Sequence, residues 1–432
     1  MGTRRLASYD VLVLVSGIWF LGKFVRYAFP PLFETIQSTY VVSNTVVGAA
    51  FTGFMLVYAA MQFPSGLVAD RLGSVRVVVA GASIAALGAF ALVVPAPFVV
   101  LVAAMLVIGF GTGLHKTVAV RLIARVYPAR TGRALGVHDT LGAFGGVAAP
   151  TVVVLLLSGP PAVGWLLGWL PGSDWRVIFF LSALAFALLA AAFAHRFRGR
   201  LASEGDPDRG SDDASVRTDG TDGADNTHSE PQPHLREYVA LFGVRRFSAF
   251  VLVTVGVSFA HNGAVAFLPL YLSSEFGVTT AVAGVLYSLF FWATFVQLAT
   301  GDLSDRIGRL PVIASTAALG AVSLWGLVVF PSLSVFVLGG LIFTLGVGAH
   351  GFQPVRGAYL MELLPERLSG GGLGGVRTLL MGAGAVAPLV VGVLADVSTF
   401  RVAFGLLAAS MAVSAIGAVG MWLTEPASKP AT

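Results

Sequence analysis

Twelve apolar runs, each close to the length of a membrane-spanning helix, dominate this chain. They fall at 9–29, 44–64, 76–95, 98–124, 134–157, 175–195, 247–271, 280–300, 311–330, 334–360, 372–395 and 400–422. A helix of about 20 apolar residues crosses the hydrocarbon core of a bilayer. In lipid, every backbone polar group must find a partner inside the protein, so only helices and closed barrels can span. The runs are continuous and do not alternate, which selects helices. Only 11% of the 432 residues are charged, whereas a soluble domain carries about a quarter. Turn chemistry separates several runs: Pro30-Pro31, Pro95-Ala96-Pro97, Gly159-Pro160-Pro161 and Pro331. The expectation is an all-α integral membrane protein with twelve transmembrane helices.

The chain also repeats itself. Gly66-Leu67-Val68-Ala69-Asp70-Arg71-Leu72-Gly73, a charged turn between the second and third runs, returns as Gly301-Asp302-Leu303-Ser304-Asp305-Arg306-Ile307-Gly308 between the eighth and ninth. Gly66, Asp70, Arg71 and Gly73 answer Gly301, Asp305, Arg306 and Gly308 in register. Pro150 in the fifth run answers Pro388 in the eleventh, and Trp175-Arg176 answers Phe400-Arg401. Such internal symmetry predicts two pseudo-symmetric six-helix bundles. With Arg76 the first copy reads G-x-V-x-D-R-x-G-x-x-R, and the second copy has Leu303 at the third position. This pattern resembles the loop after the second helix of the major facilitator superfamily of secondary transporters. The second copy departs from it, with Pro311 where the first has Arg76. The resemblance implies a gating role for Asp70, Arg71, Arg76, Asp305, Arg306 and Arg309, which would latch the two halves on the cytoplasmic side. Simple topogenic loops are the plainer alternative.

Lys and Arg in the loops set orientation. With a cytoplasmic N-terminus, the inside receives Arg4, Arg5, Arg71, Arg76, Arg125, Arg130, Arg133, Arg196, Arg198, Arg200, Arg245, Arg246, Arg306, Arg309 and Arg367. The outside receives only Arg176 and Arg401. A multi-pass protein of the cell membrane follows, with both termini cytoplasmic. Residues 199–236 are rich in Asp, Gly, Ser and Thr and have little to bury, so they read as a disordered acidic cytoplasmic linker. They divide an N-terminal bundle, 1–198, from a C-terminal bundle, 237–432. The aspartates of this segment lack the spacing of a calcium loop. Trp165 and Trp169 suit the membrane interface on the outside.

Ionisable groups inside spans are costly and are functional candidates by default. The first span carries Lys23 and Arg26, with Trp19 and Tyr27 at helical spacing. The fourth carries His115 and Lys116, the fifth His138 and Asp139, the seventh His261 and Asn262, and the tenth His350, Gln353 and Arg356. Arg377 stands in the eleventh. The family resemblance implies that the first, fourth, seventh and tenth helices line a central cavity, and the polar residues concentrate on those four. Lys23, Arg26, Lys116, Arg356 and Arg377 face one clearly intramembrane carboxylate, Asp139. A positive surplus in a low-dielectric site calls for an anion. Lys23, Arg26, Tyr27, Lys116, His350, Gln353 and Arg356 are therefore the substrate-binding candidates, and guanidinium groups suit oxyanions best. Arg356 could instead reach the headgroups, and Lys23 and Arg26 could pair with Glu34. Asp139 and Arg377 occupy matching positions. They could pair across the halves, giving Arg377 a gating role, or each could pair locally. His115, His138 and Asp139 are the proton-coupling candidates; a buried histidine can equally be a satisfied hydrogen-bonding group.

Gly109-Phe110-Gly111-Thr112-Gly113-Leu114-His115, followed by Gly132 to His138 and by Gly145 and Pro150, is similar to the fosmidomycin-resistance-type exporters of the same superfamily. There the fourth-helix His is usually followed by Pro; here Lys116 follows. Met105 stands where drug–proton antiporters commonly carry Arg. The run Ser369 to Gly375 is glycine-rich like a phosphate loop but lacks the Lys-Ser/Thr pair, and close helix packing explains it. With no cysteine, disulfide and thiolate chemistry are excluded. The reading is a secondary transporter for a small anionic organic solute. It works by alternating access and with optional proton coupling. It is not an enzyme, has no cofactor, no metal and no nucleic-acid partner, and acts as a monomer in membrane lipid. A multidrug exporter with a lipophilic substrate and a non-transporting sensor or scaffold are the alternatives.

Overall fold

The computed structural model describes residues 9–159, 165, 169–171, 174–197, 240–365 and 382–425. The linker 199–236, Arg367, Ser369 to Gly375 and Arg377 lie outside the described residues. The helices are α1 Asp10–Ala28, α2 Asn44–Leu72, α3 Ser74–Ala91, α4 Phe98–Val126, α5 Thr131–Ser158 and α6 Val177–Arg196, followed by α7 Arg245–Phe276, α8 Thr280–Trp292, α9 Arg309–Val329, α10 Val335–Leu363, α11 Ala387–Val397 and α12 Phe400–Leu423. Eleven helical segments are long and apolar enough to cross a membrane, and a shorter apolar helix covers Gly382–Val397. Each expected span thus has its helix.

Several ends differ from the sequence expectation. Pro30-Pro31 does not end the first span. The pair opens a 3-10 turn, Pro30–Leu32, and a further helix, Phe33–Tyr40, carries the chain on. Proline tolerates a first helical turn because its missing N–H has no partner to lose there. Likewise α2 runs through Pro64 to Leu72, so Asp70 and Arg71 sit in its last turn and only Gly73 breaks the chain. Gly73 (φ 85°, ψ 147°) and its repeat partner Gly308 (φ 93°, ψ 155°) share one conformation, a region open essentially to glycine alone. The repeat seen in the letters is therefore a repeat in backbone geometry. The eighth span also runs on. After α8, a 3-10 turn at Ala293–Val296 leads into a helix at Gln297–Ile307.

Helix starts and proline sites follow from backbone hydrogen bonding. Ser43, Thr279, Ser334 and Thr399 cap α2, α8, α10 and α12 by accepting from the N–H of Val46, Val282, Val337 and Val402. These caps occupy donors that the first helical turn leaves without partners. Pro269 inside α7 has no N–H for the Val265 carbonyl. The Tyr287 hydroxyl donates to that carbonyl at 2.7 Å, which closes the gap within the bundle.

Each half is tied at the end that carries the described chain termini. Arg196 at the end of α6 pairs with Asp10 at the start of α1 at 2.5 Å, and Arg246 pairs with Glu425 at 2.6 Å. We call this end proximal. Described contacts between the halves gather at the opposite, distal end, along two seams. In the first, α2 meets α11 so closely that a Cβ at Gly48 would sit 2.4 Å from the Pro388 carbonyl oxygen, and one at Gly392 would sit 2.4 Å from that of Asn44. Leu389 N–H donates to Thr52 Oγ1 at 3.0 Å. Asp396, in the last turn of α11, receives the N–H groups of Asn44 (3.1 Å) and Thr45 (2.7 Å) and the Asn44 side-chain amide (2.8 Å). A carboxylate of one half thus caps the N-terminus of a helix in the other. In the second seam α5 meets α8, where a Cβ at Gly284 would collide with Val154 and would lie 3.8 Å from the Pro150 carbonyl oxygen. Thr151 and Ser288 hydroxyls meet there at 3.3 Å. The matched prolines Pro150 and Pro388 mark the two seams.

Candidate functional site

Below the seams, α1, α2, α4 and α5 of one half and α7, α10, the Ala293–Val296 turn and the Gln297–Ile307 helix of the other line a cavity of about 440 Å³, within the usual range for small-molecule sites. All seven substrate-binding candidates line it: Lys23, Arg26, Tyr27, Lys116, His350, Gln353 and Arg356. Asp139, His261 and Asn262 line it as well. Helical spacing puts Trp19, Lys23, Arg26 and Tyr27 on one stripe of α1, and packing turns that stripe inward.

The charges are not equivalent. Lys116 Nζ pairs with Asp139 Oδ1 at 3.0 Å, the lysine side chain 14% exposed and the carboxylate 62%. Asp139 therefore pairs locally, within its own half. Lys23 has no ion pair among the described residues; its ammonium lies 5.3 Å from the centre of the Trp19 ring, and Lys116 Nζ lies 4.1 Å from the same ring centre. Arg26 is only 5% exposed. Its guanidinium lies 3.6 Å from the Tyr58 ring centre, and its Nε and Nη2 have no hydrogen-bond partner among the described residues. Glu34 accepts from Thr280 Oγ1 and does not pair with Arg26. A buried cation stripped of water and of a counter-charge costs several kcal/mol, and cation–π contact offsets about 2 kcal/mol of that. Arg356 lines the cavity half-buried, its guanidinium 5.9 Å from the Phe352 ring.

The three proton-coupling candidates do not share one surface. Asp139 faces the cavity, whereas His115 and His138 are buried between α1, α4 and α5, behind Trp19. His115 Nε2 hydrogen-bonds the Val15 carbonyl at 3.1 Å, and His138 Nδ1 meets Ser16 Oγ at 3.2 Å. Trp19 stacks on His138 with ring centres 6.0 Å apart, and the two imidazoles are 6.4 Å apart. On the opposite wall His261 of α7 and His350 of α10 form a second pair, 5.3 Å apart and nearly perpendicular. His261 Nδ1 and His350 Nε2 lack partners among the described residues.

The described gating candidates sit at the proximal end, and the pairs they form lie within their own halves. Asp70 accepts from Arg121 Nη2 at 2.6 Å, Arg306 pairs with Asp302 at 2.8 Å, and Arg309 pairs with Glu362 at 2.8 Å and touches Asp305 at 4.0 Å. Arg71 is exposed and Arg76 half-buried beside them. Sequence reasoning missed Tyr58 and Asp396. A tyrosine in an apolar run gives no signal of facing a cation. Asp396 stands one residue beyond the expected eleventh span, where an acid looks like an ordinary loop residue.

Two symmetric six-span halves, sealed at one end and enclosing a charged cavity between them, define a membrane carrier. The chain belongs to the major facilitator superfamily, whose family model matches residues 15–344 and 250–432. It is 29% identical over 167 residues to a 2-nitroimidazole transporter of Escherichia coli K12, a match covering 38% of this chain and 42% of that protein. It is 25% identical over 373 residues to a "Probable 4-methylmuconolactone transporter" of Cupriavidus pinatubonensis, covering 84% and 76% of the two chains. Among solved structures, a bacterial homologue of the human lysosomal transporter Spinster superposes with a TM-score of 0.73 at 16% identity over 96% of each chain.

Proposed function

We propose that the protein is a secondary transporter that carries a small organic anion across the cell membrane by alternating access. The observation that carries this reading is Arg26. Its guanidinium is buried at the cavity wall with two nitrogens unpartnered, and Lys23 one turn earlier has no carboxylate of its own. An anion bound there would supply the missing counter-charge and accept paired N–H donors. Gln353, Arg356 and His350 would complete the site from the other half. Relatives named for 2-nitroimidazole and 4-methylmuconolactone transport support a small organic cargo.

In this reading Asp139 exchanges protons with the cavity, and His115 and His138 act behind Trp19. The proximal end faces the cytoplasm, with both termini there. The two bundles, 1–198 and 237–432, rock about the cavity, joined by the linker 199–236. Asp70, Arg71, Arg76, Asp305, Arg306 and Arg309, with Arg377, act at the proximal gate when the distal seams part. The protein works as a monomer in lipid. Thermal-shift measurements on the purified chain test the anion reading. Organic anions are expected to raise the melting temperature of the wild type and to leave that of Arg26→Gln unchanged. Stabilisation by lipophilic cations alone would overturn this reading in favour of a multidrug exporter.

A further inference from the structure

We infer that the cavity selects, among small organic anions, those whose acid group is carried on a flat unsaturated ring with a second hydrogen-bonding substituent on the far side. The inference rests on the anion reading above and concerns the rest of the cargo.

The acid end is the Arg26 guanidinium. Stacking on Tyr58 at 3.6 Å, together with interactions with the Tyr58 and Tyr27 side chains, fixes its plane, and Nε and Nη2, which have no hydrogen-bond partner among the described residues, form one edge of the fork, which matches a carboxylate. The body of the cargo meets aromatic faces. Tyr27 and Tyr58 line the cavity on one side and Phe295 and Phe352 on the other. Behind this wall Phe291 touches Tyr27 at 4.4 Å and His350 at 6.0 Å, so a continuous aromatic layer joins the two halves. A flat ring gains stacking contacts here that a short aliphatic acid cannot make.

The far end is the histidine pair. His350 is 5% exposed, and His350 Nε2 and His261 Nδ1 are buried with no partner. Phe290 packs on both rings, at 5.0 and 5.6 Å, and fixes their orientation. Lys23 from α1 and Arg356 from α10 are the charged groups within electrostatic reach of His261. No described carboxylate pairs with either ring. Two orphaned ring nitrogens at the wall of a small-molecule cavity are unmet hydrogen-bonding capacity, and a cargo lacking a matching group would leave them so. They belong to the other half of the chain from Arg26, which places the second polar group of the cargo across the cavity from its acid.

The test is calorimetric titration of the purified full chain with four probes: 4-hydroxybenzoate, benzoate, cyclohexanecarboxylate and the uncharged 4-hydroxybenzamide. We expect 4-hydroxybenzoate to bind about tenfold more tightly than benzoate, in line with one buried hydrogen bond, and benzoate more tightly than the saturated acid. The advantage of the hydroxyl over benzoate should vanish in His350→Phe and in His261→Phe, and an advantage that persists in both would overturn the histidine end. Equal binding of 4-hydroxybenzoate and cyclohexanecarboxylate, with both lost in Arg26→Gln, would overturn the ring selection and leave the anion reading standing. Equal binding of 4-hydroxybenzamide and 4-hydroxybenzoate, or no binding of any acid, would overturn both. Should the histidine variants fail to fold, the wild-type series still decides, because the ring and hydroxyl preferences are read from it directly.

Discussion

At the scale of single residues, the two glycines that end α2 and the Gln297–Ile307 helix are held by backbone conformation more than by packing. Both hold φ near +90° with extended ψ, where a Cβ meets the flanking carbonyls. Gly73→Ala and Gly308→Ala are each expected to destabilise by about 1–3 kcal/mol, read as a lower melting temperature. Gly301→Ala serves as the control, since nothing lies within 4 Å of a Cβ there. Asp139 is the other residue whose role is separable. If it is the proton carrier, Asp139→Asn abolishes substrate-driven proton uptake in vesicles while exchange of labelled substrate persists. Loss of both activities would instead make the Lys116 pair structural. The sequence pointed to Lys23, Arg26, Lys116 and Asp139 because ionisable groups in apolar runs stand out. It gave no sign that Asp139 goes to Lys116, leaving Lys23 and Arg26 without a carboxylate partner among the described residues, because that choice depends on how α4 and α5 face each other.

At the scale of elements, the α2–α11 seam is the device that closes the distal end. Its parts are a carboxylate, two small residues and a hydroxyl, all at the ends of long helices. Asp396→Asn keeps the shape but removes the charge facing the start of α2, a loss of about 1 kcal/mol from the sealed arrangement. Gly48→Val places a branched side chain where the Pro388 carbonyl now sits and should oppose closure more strongly. The chain has no cysteine, so Thr52→Cys, buried in the seam, reports opening through its rate of maleimide labelling. Labelling is expected to rise several-fold with Asp396→Asn added and further with Gly48→Val added. Unchanged rates in both backgrounds would show that the seam does not govern opening. The element boundaries agree to within a residue with the expected starts at 44, 280, 334 and 400, where Ser43, Thr279, Ser334 and Thr399 cap α2, α8, α10 and α12. They were misread at Pro30 and Pro31, because proline marks a helix end only where the following turn cannot take up the lost bond.

At the scale of the whole molecule, the seams at one end and the cavity beneath them describe one state of a carrier, with the distal side closed. In membrane-embedded protein, Leu298→Cys, which lines the cavity and is strongly exposed, should label readily with a membrane-impermeant maleimide applied from the proximal side. From the distal side it should label slowly. A cargo that favours distal opening would slow the first rate and speed the second. Equal labelling from both sides would contradict a sealed distal end. The paired tethers Arg196–Asp10 and Arg246–Glu425 close each half on itself, so the halves can move as units.

The sequence by itself determined the class of fold. Apolar runs of bilayer length, basic loops and a duplicated charged turn leave few arrangements that satisfy a backbone in lipid. It also determined which residues would be polar within the spans. Only the tertiary structure decided what those residues do for one another: the pairing of Lys116 with Asp139, the burial of Arg26 against Tyr58, the withdrawal of His115 and His138 behind Trp19, and the capping of α2 by Asp396. The physical reason is that burial in the membrane is a property of one helix at a time and is written in its composition. Pairing depends on the facing of helices far apart in the chain, and small residues such as Gly48 and Gly392 set that facing without any charge or polarity to announce it.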